Sequence, residues 1–144
     1  MRAAASIETV HATCVAIDGR AVLITGPSGA GKSDLALRLL DRGFHLISDD
    51  RTCVRLHEGR LVASPPPQIA GKLEVRGIGI VDVEHDGEAP VALVVELTDA
   101  VERLPVEERT RSVFGAALPL VSVDARTASA PAKVALALDR LGLR

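Results

Sequence analysis

The stretch Glu8 to Ile17 (ETVHATCVAI) is rich in β-branched and small apolar residues, and AVLIT (21–25) repeats that character after Asp18-Gly19. Two such runs around an Asp-Gly pair predict a β-hairpin. The period then changes. In KSDLALRLLDR (32–42), Leu35, Leu39 and Leu40 fall along one helical face, and Gly43 stands where a C-terminal cap belongs. FHLIS predicts a strand that ends at Asp49-Asp50, and TCVRL with RLVAS predicts a second hairpin around Glu58-Gly59. SPPP (64–67) must be a loop, because proline cannot donate to a ladder. KLEVRGIGIVDV is broken by glycines and follows no single period. The continuous apolar run VALVVEL (91–97) predicts a central strand. DAVERL and PVEERTRSVF read as short helices or irregular chain, LPLVSV as a last strand, and PAKVALALDRLG as a closing helix with proline at its start. The order of elements predicts an α/β fold: a mixed sheet with helices packed on it.

Composition narrows this picture. At 144 residues, 47% hydrophobic and 25% charged, the chain has material for one globular domain with a core of ordinary size. Its formal net charge of -2, without a block of like charge, predicts no nucleic-acid partner. Two Phe, no Trp and no Tyr leave no platform for stacking bases, so the core rests on Val, Leu, Ile and Ala. Cys14 and Cys53 are far apart and outside any C-x-x-C pair, which predicts buried, reduced thiols. No run approaches the apolar length of a membrane span, and the first residues lack an apolar signal core. A cytoplasmic protein without membrane partners is the expectation.

Candidate chemistry sits between the first hairpin and the first helix. GPSGAGKS (26–33) fits G-x-x-x-x-G-K-[ST] in the strand–loop–helix context that motif requires. The backbone of Gly26, Pro27, Ser28, Gly29, Ala30 and Gly31 can present its N–H groups to phosphate at a helix N-terminus. Lys32 adds a cation for the β- and γ-phosphates, and the Ser33 hydroxyl is placed for Mg²⁺. The fold expected is therefore of the P-loop kinase type, with the hairpin strand leading into the phosphate loop. Asp49 and Asp50, at a strand end, can hold the metal or accept a proton from an attacking hydroxyl. Projected across the Asp-Gly turn, His11 lies opposite Thr25 and Gly26, at the start of the loop. Glu74 and Arg76 are charges in a glycine-rich apolar stretch, a placement that costs solvation unless they face a site.

Taken together, VHATCVAIDGRAVLITGPSGAGKSDLALRLLDRGFHLISDD and LEVRGIGIVDV resemble the catalytic domain of the HPr kinase/phosphorylase family. In that family a histidine-bearing strand leads into the glycine loop. A strand with an Asp-Asp pair follows, then a segment of the form E-[IV]-R-G-[LIV]-G-I. The resemblance implies one catalytic domain over residues 1–144, acting as an ATP- and Mg²⁺-dependent kinase on a serine of the phosphocarrier protein HPr. It further implies that Ser33 and Glu74, with Asp50, hold Mg²⁺ and that the Asp49-Asp50 pair supplies the base. His11 would orient those carboxylates, and Glu74, Arg76, Gly77 and Gly79 form the signature segment. Arg103, in VERL (101–104), stands where the family carries a catalytic arginine, with Arg109 and Arg111 nearby. A homo-oligomer, hexameric in the family, is implied as well.

Two departures limit the carry-over. Pro27 replaces an Asp that usually holds the second loop position, which leaves the phosphate-binding positions untouched. The family's P-V-[KR]-x-G-R-N segment has only SVDARTASAP as its counterpart, so the reverse, phosphorylase reaction does not follow from the resemblance. Two other readings share the loop. A P-loop kinase of a small metabolite needs an arginine-rich lid, for which Arg103, Arg109 and Arg111 are candidates. A non-catalytic ATP-sensing module needs no base, against which stand Asp49 and Asp50. A GTPase lacks its N-K-x-D segment here.

Overall fold

The computed structural model describes residues 6–104 and 108–144. Among the described residues, three strands, a helix, eight further strands with one short 3-10 turn among them, and a final helix follow in order. The first hairpin is β2 (Thr13–Ile17) and β3 (Arg20–Thr25), antiparallel in the register Thr13↔Ile24 to Ile17↔Arg20. That register leaves Asp18-Gly19 as a two-residue turn, both with positive φ, the backbone that matches strand twist. The expected strand from Glu8 to Ile17 is in fact two. β1 (Glu8–Val10) leaves the hairpin and pairs with β5 (Thr52–His57), and the chain bends at His11-Ala12. The Ala12 N–H donates to the Val10 carbonyl, and the Thr52 hydroxyl donates to the Ala12 carbonyl, which fixes that bend.

After the loop, α1 (Lys32–Leu40) returns along the sheet and β4 (His45–Ser48) pairs with β2. β5 and β6 (Arg60–Ser64) form the second hairpin, and the prolines that follow lead into a 3-10 turn at Pro67–Ile69. The segment without a clear period is a separate two-stranded hairpin, β7 (Lys72–Val75) with β8 (Gly79–Asp82). β9 (Ala89–Leu97) is the central strand. It runs parallel to β3 on one side, and on the other it meets β6 at Ala89–Pro90 and β11 (Ala116–Val123) from Val94 to Leu97.

One stretch differs from its expectation. Arg109–Val113, read as short helix or irregular chain, is β10, antiparallel to β11. Phe114-Gly115 supplies the two-residue turn with positive φ at both positions, a signal that the unusual Phe conceals. Residues 105–107 of that same stretch lie outside the described residues. α2 (Ala130–Leu141) closes the chain as its apolar period predicts.

The sheet forks along β9, and its branches share one apolar cluster: Val54, Leu61 and Ala63 from one, Ala116, Leu118 and Leu120 from the other. On the opposite face, Leu35 and Leu39 of α1 and Val134 and Leu138 of α2 pack on Val22, Ile24, Leu93 and Val95. Both faces are buried, which is why β9 is apolar at nearly every position. Cys14 is buried in this core, and burial pushes its thiol well above the ordinary range; Cys53 is half-buried rather than enclosed as expected.

The β7–β8 hairpin is held to the sheet at its far end. Leu46 N–H donates to the Glu84 carbonyl at 3.1 Å, and Asp86 N–H to the Leu46 carbonyl at 2.9 Å. Beside them, His45 Nδ1 lies 2.9 Å from Asp86 Oδ1. Leu73 anchors the middle, fully buried in the helix-side cluster.

The hydrogen bond to Asp86 raises the His45 pKa above its ordinary value. Its stabilising contribution is therefore complete below the unfolded-state pKa and fades as pH rises through the folded one. Urea unfolding of the wild type and Asp86→Asn between about pH 5 and pH 8 is expected to show a stability difference that shrinks as pH rises. Leu73→Ala should cost about 2–5 kcal/mol in the same assay, since it empties a filled position between hairpin and helix.

Candidate active site

β3 ends at Thr25, and the chain turns at once into the glycine loop. Gly26, Gly29 and Gly31 take φ of 156°, 83° and 99°. Gly26 is also closely packed: a Cβ there would lie 3.2 Å from the Cβ atoms of both Ala30 and Leu97. Gly31 is the N-cap of α1, so the loop's N–H groups and the helix dipole converge on one place. Lys32 is buried, and its Nζ donates to the carbonyls of Gly26 at 2.9 Å and Pro27 at 3.1 Å. Those bonds curl the loop around the ammonium before any phosphate arrives.

Among the described residues, the buried polar side chains are Thr13, Lys32, Ser48, Asp49 and Thr52, and all five belong to this corner of the fold. Asp49 is their centre, with 8% of its surface exposed. Its Oδ1 accepts from Ser33 Oγ at 2.6 Å and from Thr13 Oγ1 at 3.1 Å, and its Oδ2 accepts from the Glu74 N–H at 3.1 Å. A carboxylate this buried requires such donors to offset its lost hydration. The three bonds tie together α1, β2 and β7.

Asp50 is placed differently. Its φ of 66° turns its side chain away from that of its neighbour, and the Arg51 N–H donates back to the Asp49 carbonyl at 2.7 Å to close a three-residue turn. Asp18, Glu58 and Phe114, the other non-glycine residues with positive φ among those described, sit in hairpin turns; Asp50 does not. Left-handed backbone outside a hairpin marks strain held by its surroundings. Here the Asp50 N–H donates to Thr13 Oγ1 at 3.1 Å, so Thr13 bridges the two aspartates. The Asp50 carboxylate reaches solvent with 63% of its side chain exposed, and Oδ1 lies 2.9 Å from His11 Nε2. The bend at His11-Ala12 is what brings the imidazole there.

These groups surround one cleft of ≈ 540 Å³, lined by the loop from Ser28 to Ser33, by Asp50, and by Glu74, Val75 and Arg76 of the hairpin. Gly77 and Gly79 shape the hairpin's tip with φ of 86° and 118°. Of the sequence candidates, His11 and Asp49 stand behind the lining, bonded to its Asp50 and Ser33, whereas Arg103 is exposed in the segment after β9 and does not line the cleft. Residues that sequence reading passed over include Thr13, whose signal is a lone hydroxyl entering a buried strand. Glu96 is another, a carboxylate inside the apolar run of β9; it meets Arg111, which the sequence offered as a lid candidate and which lies midway along β10, with Thr25 at the end of β3 beside it.

The donors suit magnesium. That ion takes oxygen ligands, keeps several waters and needs only one or two protein groups beside phosphate. The Ser33 hydroxyl gives its hydrogen to Asp49, so lone pairs are what it offers, and Asp50 and Glu74 add carboxylates along the cleft. Among the described residues, no cluster of three or more His, Cys, Asp or Glu could enclose a metal without such help. No described helix is long and apolar enough to cross a membrane.

Known proteins share this sequence and this fold. The HPr kinase/phosphorylase of Lacticaseibacillus casei strain BL23 is 37% identical over 128 residues, 80% of this chain and 40% of that protein. The protein of the same name from Clostridium botulinum strain Eklund 17B is 50% identical over 74 residues, 51% of this chain and 24% of its own. The chain thus spans about two fifths of the length of the curated relatives it matches first. Among solved structures, the HPr(Ser) kinase/phosphatase from Coxiella burnetii superposes with a TM-score of 0.80 at 28% identity, covering 92% of this chain and 88% of that one. The family model of the HPr serine kinase C-terminal domain matches residues 2–138, nearly the whole chain, which therefore belongs to that family.

Proposed function

We propose that this chain transfers the γ-phosphoryl group of ATP to a serine hydroxyl of an HPr-type phosphocarrier protein. The observation that carries this reading is the continuous path of hydrogen bonds from the phosphate loop to an open carboxylate: Ser33 to Asp49, Thr13 between the aspartates, and Asp50 to His11. A nucleotide sensor has no use for the exposed carboxylate at the end of that path.

The roles divide by burial. The loop amides from Gly26 to Gly31 and the Lys32 ammonium bind the phosphates and favour the charge that builds up on them during transfer. Ser33, with Asp50 and Glu74, would hold Mg²⁺, which when bound neutralises phosphate oxygens. Asp49 is the positioning carboxylate, enclosed by three donors and fixing the Ser33 hydroxyl. Asp50, open to the cleft, accepts the proton of the attacking serine as its oxygen bonds to the γ-phosphorus and the bond to the bridging β–γ oxygen breaks, releasing ADP. His11 orients Asp50 from the solvent side. By the same family reading, the chain works in the cytoplasm as a homo-oligomer of hexameric form.

The test is to incubate the purified chain with Mg²⁺, γ-labelled ATP and the phosphocarrier protein from the same source. Label is expected on a carrier serine. Asp50→Asn should lower the transfer rate by about 10²–10⁴-fold while ATP still binds, as loss of a general base does. Lys32→Ala should instead lose ATP binding itself. Retained ATP binding with an unlabelled carrier would overturn the protein-kinase reading and turn attention to small metabolites or to a sensor role. Full transfer by Asp50→Asn would refute its role as base.

A further inference from the structure

At the C-terminal ends of three neighbouring strands lies a second polar group, which the cleft does not include. Glu96 is the single charge within β9, and it receives two arginines from β10. Arg111 Nη2 donates to Glu96 Oε2 at 2.6 Å, and Arg109 Nη2 lies 3.6 Å from Glu96 Oε1. Ser122 of β11 joins them, donating to Glu96 Oε1 at 3.3 Å and accepting from Arg109 Nη1 at 2.7 Å. The second nitrogen of the Arg111 fork reaches elsewhere. Nη1 donates to Thr25 Oγ1 at 3.2 Å, and the Thr25 hydroxyl gives its own hydrogen to the Val95 carbonyl at 3.0 Å.

Thr25 is the residue directly before Gly26, whose carbonyl holds the Lys32 ammonium at 2.9 Å. From Arg111 to Lys32 there are thus two hydrogen bonds and one peptide link. We infer that Arg111, held by Glu96, is a positioning residue that sets the base of the phosphate loop through Thr25. The geometry needs a fork: one guanidinium nitrogen is taken by the carboxylate, and the other is left pointing at the hydroxyl. A lysine offers a point charge and cannot serve both acceptors in fixed directions. Glu96 and Arg111 are each about a third exposed, so their pairing alone adds little stability in water. What the pair contributes is direction at a point where the chain leaves regular structure and must place an ammonium among phosphates. Gly26 has no slack of its own there, packed as it is against Ala30 and Leu97.

This inference rests on the loop as a nucleotide site and not on the identity of the phosphoryl acceptor. The experiment therefore measures Mg·ATP binding by calorimetry, beside the thermal midpoint of each variant. Arg111→Met and the near-isosteric Thr25→Val are each expected to weaken ATP binding by about tenfold, the scale of one charge-assisted hydrogen bond. Thr25→Ser, which keeps the acceptor, should restore wild-type binding, and Arg111→Lys should not. The double variant should bind no worse than the weaker single one, because both break one contact. Additive losses would overturn the inference. So would Thr25→Val binding within twofold of wild type, or Thr25→Ser binding as poorly as Thr25→Val. If the wild type binds ATP but labels no carrier protein, the kinase reading fails while this comparison still decides the role of Arg111.

Discussion

Everything at the active corner depends on keeping one carboxylate, Asp49, buried without leaving it unsatisfied. Its three donors come from a strand hydroxyl, a helix hydroxyl and a hairpin amide, so the elements that bring them cannot move independently. Loss of a donor leaves a buried charge less compensated where water is scarce, a penalty larger than the net gain from an average hydrogen bond. The carboxylate thus acts as a joint between α1, β2 and β7. This explains why the glycine-rich hairpin, which shares few ladder bonds with the main sheet, nonetheless sits in a defined place over the loop.

The two adjacent aspartates reach opposite environments because the backbone reverses between them. Residues in ordinary strand conformation would also alternate, but Asp50 would then continue the β4 ladder. With φ of 66° it leaves the sheet and meets His11 at the bend between β1 and β2. A strained residue persists only where its neighbours enforce the conformation. Here the enforcing contacts are the short turn closed by Arg51 and the Asp50 amide bond to Thr13. One carboxylate is fixed and inaccessible, the other oriented and open, and that asymmetry is what the proposed division into a positioning group and a proton acceptor requires.

A second constraint acts at the loop's other flank. Arg38 of α1 donates to the carbonyls of Ala125 and Thr127, and Asp124 in that segment is held at a pKa of about 2, first by its side-chain bond to Arg126. This is the stretch SVDARTASAP, which departs from the family's Gly-Arg-Asn pattern. Its residues here brace the segment beside Gly31, since Ala125 would meet a Cβ at that glycine at 3.4 Å. The segment therefore packs beside the loop without a Gly-Arg-Asn pattern.

Much of this was legible in the chain itself. The hairpin around Asp18-Gly19, the strand–loop–helix unit, the central run 91–97 and the closing helix all follow from local period and turn chemistry, which act over a few residues. So does the list of chemical groups: Lys32, Ser33, the aspartate pair and His11. What local pattern could not determine was where strands change partners. The break at His11-Ala12 has no proline or glycine to announce it, and it arises because β1 finds β5 some forty residues away. β10 was hidden for a related reason: its polar residues look helical or irregular alone, and only pairing with β11 makes them a strand. The choice between Asp49 and Asp50 also needed tertiary structure, because identical side chains one residue apart differ only through the burial and hydrogen bonds that distant segments supply. The sequence by itself determined most of the elements and the chemistry on offer; the tertiary structure decided which carboxylate is enclosed, which is open and which arginine reaches Thr25, because burial is a property of the assembled chain.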